Sequence, residues 1–187
     1  MMVLQTRVIT VEEFEQFIRL PENADRNFEY IGGEIVEVVS NPLSSKLAVS
    51  MSTFIGMYLL NNDIGHLTGA DGGYIVSGER YIPDVGFISY NRQPQLEYQD
   101  GYIQNAPDLA VEVPSPSNEE DVMAIKIANY LAAGTVVWLL KPPEKQIAVF
   151  VPGQPVKIFH FDDTLDGGDV LPGFTVKLAD IFRSPTP

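Results

Sequence analysis

A chain of 187 residues with 45% hydrophobic and 20% charged residues can bury a substantial core and is ordinary for a globular protein. It holds no cysteine, which excludes disulfides and thiolate metal sites and fits a cytoplasmic location. No apolar run approaches the ~20 residues of a membrane-spanning helix, and Met1 to Arg7 lacks a secretory pattern, so no membrane association is expected.

Thr10-Val11-Glu12-Glu13 is a capping-box pattern and predicts a helix ending near Leu20, before Pro21. Phe28 to Val38 alternates around Gly32-Gly33 and reads as a β-hairpin. Leu47, Met51, Phe54, Ile55 and Tyr58 recur at helical spacing and predict an amphipathic helix from Ser44 to Asn61. Three strands are expected next, over Leu67 to Val76, Tyr81 to Ser89 and Leu109 to Val113. The polar segment Tyr90 to Pro107 is expected to be a loop or flap. Ser117-Asn118-Glu119-Glu120 is a second capping box, opening a helix to about Ala133, with Gly134 as its stop. Val136 to Leu140 is continuously apolar, as in a strand buried on both faces. Further strands are expected over Ile147 to Val151 and Val156 to Phe161, a turn at Asp166 to Asp169, and a short helical piece at Leu178 to Phe182. This order predicts one mixed α/β domain over residues 1–187, its body at about 10–182, with a central sheet covered by helices. The apolar Ile147 to Val151 stretch and the strand-rich ends suggest a homodimer.

The chemistry concentrates on two carboxylates. In Tyr81 to Ile88, alternation puts Ile82, Asp84, Gly86 and Ile88 on one strand face. In Leu109 to Val113 it sets Ala110 and Glu112 against Leu109, Val111 and Val113. Each carboxylate lies in a strand that reads as buried, where an unpaired charge is costly and a metal is one of few good partners. If the strands pair, Asp84 and Glu112 can share a divalent ion. With two histidines and no cysteine, that ion is Mg²⁺, Mn²⁺ or Ca²⁺ rather than zinc. On the following helix the apolar stripe is read as Val122, Ile125, Asn129 and Ala132. Lys126 borders it and can point an ammonium at the site.

Plainer roles compete with these. A strand carboxylate is often paired with arginine, and a helix lysine often lies along the surface. Glu29 on the hairpin reads first as a structural hydrogen-bonding residue, and Asp71 as a turn residue. His66 and His160 have no ligand spacing. No phosphate-binding glycine loop and no nucleophile elbow occurs. The net charge of −13 and twelve scattered Lys and Arg leave no basic patch of the kind that holds a long duplex.

Several motifs in order resemble the Uma-two family of bacterial restriction endonucleases. They are Phe28 to Val36, Asp71-Gly72-Gly73, Ile82-Pro83-Asp84-Val85, Ala106 to Val113, Lys126, Tyr130 to Thr135 with Trp138, and Asp166 to Phe174. The likeness runs from about Thr10 to Phe182. It implies a restriction-endonuclease-like αβββαβ core with an N-terminal helix and hairpin and a β-rich C-terminal extension. It further implies a Mg²⁺-dependent endonuclease acting on nucleic acid, DNA foremost, with Mn²⁺ able to substitute. Asp84, Glu112 and the Val113 carbonyl would hold the metal, and Glu29, Asp71 and Tyr130 are supporting positions. The superfamily's lysine stands two residues after the second acid. Here position 114 is proline, so that role falls to Lys126. The alternatives are a nuclease-like scaffold used for binding or assembly, and a metal-dependent hydrolase of a small phosphorylated substrate.

Overall fold

The computed structural model describes residues 8–97, 101–115 and 120–183. Helix α1 spans Val11–Ile18 and has the expected capping box. Glu13 N donates to Thr10 Oγ1 (3.2 Å) and Thr10 N to Glu13 Oε2 (3.0 Å). It stops two residues before Leu20, which instead opens a 3₁₀ turn at Pro21–Asn23. Strands β1 (Phe28–Ile31) and β2 (Glu34–Glu37) form the expected hairpin, with Ile31 opposite Glu34. Gly32 and Gly33 have φ of 60° and 87°, the positive values that a two-residue hairpin turn demands. Helix α2 is Pro42–Leu59. It begins earlier than its apolar periodicity indicates. The Asn41 side chain accepts from Leu43 N and Ser44 N, both at 3.0 Å, and Pro42 fills the first turn.

The remaining elements are β3 (Gly65–Thr68), β4 (Tyr74–Val76), β5 (Glu79–Tyr81), β6 (Val85–Ser89), β7 (Leu109–Glu112), α3 (Glu120–Ala132), β8 (Val136–Lys141), β9 (Gln146–Phe150), β10 (Lys157–Phe159), β11 (Thr164–Asp166), β12 (Thr175–Lys177) and α4 (Leu178–Ile181). Two expectations are corrected here. The strand read over Leu67 to Val76 is two strands, β3 and β4, separated at Gly69 to Gly73. The strand read over Tyr81 to Ser89 is also two, and they belong to different sheets. Pro83 lacks the N–H that a continuous ladder needs, so the chain breaks at Ile82 to Asp84. The capping box at Ser117 to Glu120 falls on residues 116–119, outside the described residues.

The main sheet has six strands in the order β10-β9-β8-β7-β6-β3. All its pairings are antiparallel except β7 with β8, which α3 connects as a crossover. The succession α2, β3, β6, β7, α3, β8 is the αβββαβ core. A second sheet, β2-β1-β5-β4, incorporates the hairpin, so the central sheet is covered on one side by another sheet as well as by a helix. On one face of the main sheet, Leu47, Met51 and Ile55 of α2 pack with Val85, Phe87, Leu109, Val111 and Trp138. On the other face, Ile31, Tyr74, Val76 and Tyr81 pack with Ile88, Ala110, Val137 and Tyr130 of α3. Gly86 permits that contact. A Cβ there would meet the Tyr74 ring at 2.6 Å and Thr68 Oγ1 at 2.8 Å.

Tyr90 to Pro107 is a loop tied down in its described part. Ile75 N donates to Ile103 O and Ile103 N to Gly73 O, both at 2.8 Å. Ile147 and Ala148, read as part of an assembly surface, are buried in the chain's own core. Among the described residues no helix is long and apolar enough to cross a membrane.

Candidate active site

The two sheets and α3 meet around one buried charge cluster. The antiparallel register of β6 on β7 pairs Val85 with Val111. Continued by one residue, it sets Asp84 opposite Glu112. Asp84 therefore stands in the bend that leads into β6, half-buried, and not inside a strand as the alternation indicates. Its face is nonetheless the expected one. Asp84 Oδ2 accepts from Val113 N at 2.7 Å, which ties it to the residue after Glu112. Both carboxylates line one cleft of about 210 Å³ together with Glu29, Val113 and Lys126.

Lys126 sits at the centre of α3's inward face, which is Met123, Lys126 and Tyr130. The stripe expected from apolarity is rotated from this one, and Ile125 is 41% exposed. The Lys126 Nζ lies 2.9 Å from Glu112 Oε1, and 2.9 and 3.2 Å from the two oxygens of Glu29. Glu29 comes from β1, where all four residues are buried. Its Oε1 also accepts from Ile82 N at 2.6 Å. Glu112 receives a further hydrogen bond from Tyr130 OH at 3.0 Å. Asp71 is exposed at the cleft rim and belongs to its lining.

Burial dominates the electrostatics. It pushes the Glu112 carboxyl upward, opposed by Lys126 and reinforced by Glu29 and Asp84. It likewise raises Asp84, against the Val113 N–H and Lys126, which favour the anion. For Lys126 burial works downward, but Glu112 and Glu29 together outweigh it and hold the ammonium charged. Tyr130 is raised well above the ordinary phenol value, first by burial and then by Glu112, and so remains a donor.

A second polar cluster, with no signal in the sequence, backs the first. Glu79 accepts from Gly32 N at 2.7 Å and from Asn129 Nδ2 at 2.9 Å. Tyr81 OH also donates to Glu79, and Asn129 Nδ2 lies 2.7 Å from Tyr81 OH. The Lys126 ammonium lies 5.6 Å from the centre of the Tyr81 ring. Glu79 thus joins the hairpin turn, β5 and α3, and these are the elements that carry Glu29 and Lys126.

Asp84 and Glu112 bring carboxylate oxygens to one cleft, the donor type that hard divalent cations prefer. Among the described residues no group of three or more His, Asp or Glu forms a metal cage. The candidate is a two-carboxylate site with the third acid, Glu29, committed to Lys126 and Ile82 N. With all three carboxylates ionised, the one ammonium leaves two negative charges in a low-dielectric setting, which a divalent ion would offset.

Among proteins of curated function, none matches the chain. A solved crystal structure, described as "a putative nuclease" from Anabaena variabilis, has a TM-score of 0.80 against it. That likeness covers 93% of this chain and 97% of the other at 23% identity, and it establishes that the two chains share a fold. The Uma-two family model, described as "Putative restriction endonuclease", matches residues 14–179. With that match across nearly its whole length, the chain belongs to the Uma-two family.

Proposed function

We propose that this protein is an endonuclease that hydrolyses phosphodiester bonds of nucleic acid, with Asp84, Glu112 and the Val113 carbonyl holding Mg²⁺ and with Mn²⁺ able to substitute. The observation that carries the reading is the convergence of Asp84, Glu112 and Lys126 on one cleft, with Lys126 Nζ 2.9 Å from Glu112. A divalent cation bound there supplies Lewis acidity toward water and toward a phosphoryl oxygen. The chain's own residues do the rest. Val113 N–H fixes the Asp84 carboxylate, and Tyr130 OH and Lys126 fix that of Glu112. Among the described residues Lys126 is the one cation lining the cleft. It can donate a hydrogen bond to an attacking water or to a phosphoryl oxygen as negative charge develops. Glu29 keeps it aimed and charged. Its place on α3 answers the proline at position 114, because the ammonium reaches Glu112 from the helix instead of from the strand.

The test compares cleavage of single- and double-stranded DNA and RNA, with Mg²⁺ or Mn²⁺, by wild type, Asp84→Ala and Glu112→Ala. Each substitution should lower the rate by about 100-fold or more. Each should also abolish the rise in melting temperature that Mg²⁺ gives the wild type. Equal activity in all three proteins would remove the proposed site.

A homodimer belongs to the same proposal, on a different surface from the one its sequence suggested. Ile147 and Ala148 are internal, whereas α2 exposes Val49 and Met57, each by 60% or more, and carries no acidic residue. Light scattering should give twice the chain mass, and a monomer at all concentrations rejects it.

A further inference from the structure

Net charge and cleft composition point the same way about the substrate. The inference rests on the nuclease reading and concerns what that site can hold. Eleven of the twelve Lys and Arg lie in the described residues, Arg7 being the exception. At least six of the eleven are ion-paired. Among the described residues Lys126 is the one cation that lines the cleft, and it is buried between Glu29 and Glu112. The rim carries exposed Glu37 and Asp71. The arginine held to that rim, Arg26, is engaged by both oxygens of Glu37 at 2.8 and 2.6 Å. A bound divalent cation would only neutralise the two surplus negative charges of the cluster, leaving no positive field for neighbouring phosphates.

A duplex presents one negative charge per ~1.7 Å of axis, and proteins that hold it meet several phosphates with Lys or Arg. Laid over this cleft, a duplex would bring its phosphates against Glu37 and Asp71. Long single strands are commonly held by aromatic side chains on which bases stack, and no aromatic residue among the described ones lines the cleft. The apolar part of its lining is aliphatic, with Val36, Val38, Val39 and Met123. Its volume of about 210 Å³ lies under the ~300–1,000 Å³ of sites that enclose drug-sized ligands.

We propose that the site takes phosphodiesters with few neighbouring phosphates, the size of a di- to tetranucleotide or the frayed single-stranded end of a longer chain, and not the flank of a duplex. The scissile phosphate is then the principal anionic anchor. Affinity is low and nearly independent of salt.

The test has a kinetic arm and a binding arm. With Mg²⁺, kcat/KM per scissile bond is measured for a dinucleotide, a single strand of about 20 nucleotides and a duplex of equal length, between about 50 and 200 mM salt. The proposal expects the dinucleotide and the strand to agree within about threefold and the duplex to be poorer, with a log–log salt slope shallower than about −1. A duplex preferred by about 100-fold, or a slope steeper than about −4, overturns it. In the binding arm, fluorescence anisotropy of the labelled duplex is followed in chelator, where nothing is cut. Wild type should not saturate below about 100 µM, whereas a Kd under about 10 µM overturns the proposal. Glu37→Lys and Asp71→Lys each put a cation on the rim. Each should gain duplex affinity at least about tenfold and steepen the slope by about one, Glu37→Lys more because it also frees Arg26. No gain in either variant, with circular dichroism unchanged, overturns the assignment of the rim as the barrier. If no diester is cut by wild type, the nuclease reading fails, and the binding arm still decides whether this cleft excludes a duplex.

Discussion

Lys126 holds the candidate site together and keeps two buried acids apart. Its side chain is 6% exposed and those of Glu29 and Glu112 are 7% and 5%, so solvent screens these charges little. Removing one partner of such a set leaves uncompensated buried charge. Lys126→Met should therefore cost about 3–5 kcal/mol in chelator, measured by urea unfolding, and Mg²⁺ should restore part of it. A loss under about 1 kcal/mol would mean that Lys126 is not the counterion of the cluster. Tyr130→Phe removes one donor to Glu112, and a cost of about 1–2 kcal/mol is expected. The pairing of Asp84 with Glu112 was legible from strand alternation, because a period of two survives the bend that ends β5. The engagement of Glu29 was not legible. It reaches Lys126 from a different sheet, 97 positions away in sequence, and no local pattern encodes that approach.

At the scale of elements, the ends were written most clearly. The Thr10 cap satisfies a backbone N–H group through a side chain three residues away, a contact that sequence spacing reports directly, whereas the Asn41 cap of α2 lies ahead of the apolar periodicity that set the expected start at Ser44. Asn41→Ala should cost about 1 kcal/mol, visible as a lower urea midpoint at unchanged slope. The rotation of α3 was not readable, because its apolar stripe is weak. Met123, Lys126 and Tyr130 face inward because Lys126 and Tyr130 find anionic partners there, and because Asn129 is clamped by Glu79 and Tyr81. Polar geometry overrode the position that apolarity favoured for Ile125. Close packing of β6 on Tyr74 makes a separate demand. Gly86→Ala should destabilise by about 2 kcal/mol, since its methyl would overlap the Tyr74 ring and Thr68 Oγ1. An unchanged melting temperature for that variant would show that the ring moves aside without cost.

For the whole molecule, the buried tyrosines make stability depend on alkaline pH, and Tyr74 at the interface between the two sheets is one of them. Burial, the main cause, raises the Tyr74 phenol from 10.0 to about 12. A raised folded value means that its contribution is complete below pH 10 and is lost as pH rises through about 12. The melting temperature should fall across that interval, and Tyr74→Phe should flatten the fall. An equally steep fall in the variant would place the cause elsewhere. The charge of −13 also takes on a local meaning, in that the acidic rim and the enclosed Lys126 make the cleft a poor seat for a polyanion.

By itself the sequence determined the αβββαβ order, the hairpin, the helix cap at Thr10, and the shared face of Asp84 and Glu112. All of these rest on short-range rules: backbone geometry, side-chain reach and strand periodicity. Only the tertiary structure decided that the hairpin joins β4 and β5 in a second sheet, that Glu29 enters the site, that α3 turns Lys126 fully inward, and that Glu79 braces it from behind. Those outcomes depend on how separate segments stack and on where a buried charge finds its counter-charge, and that is settled when the sheets close on each other and not along the chain.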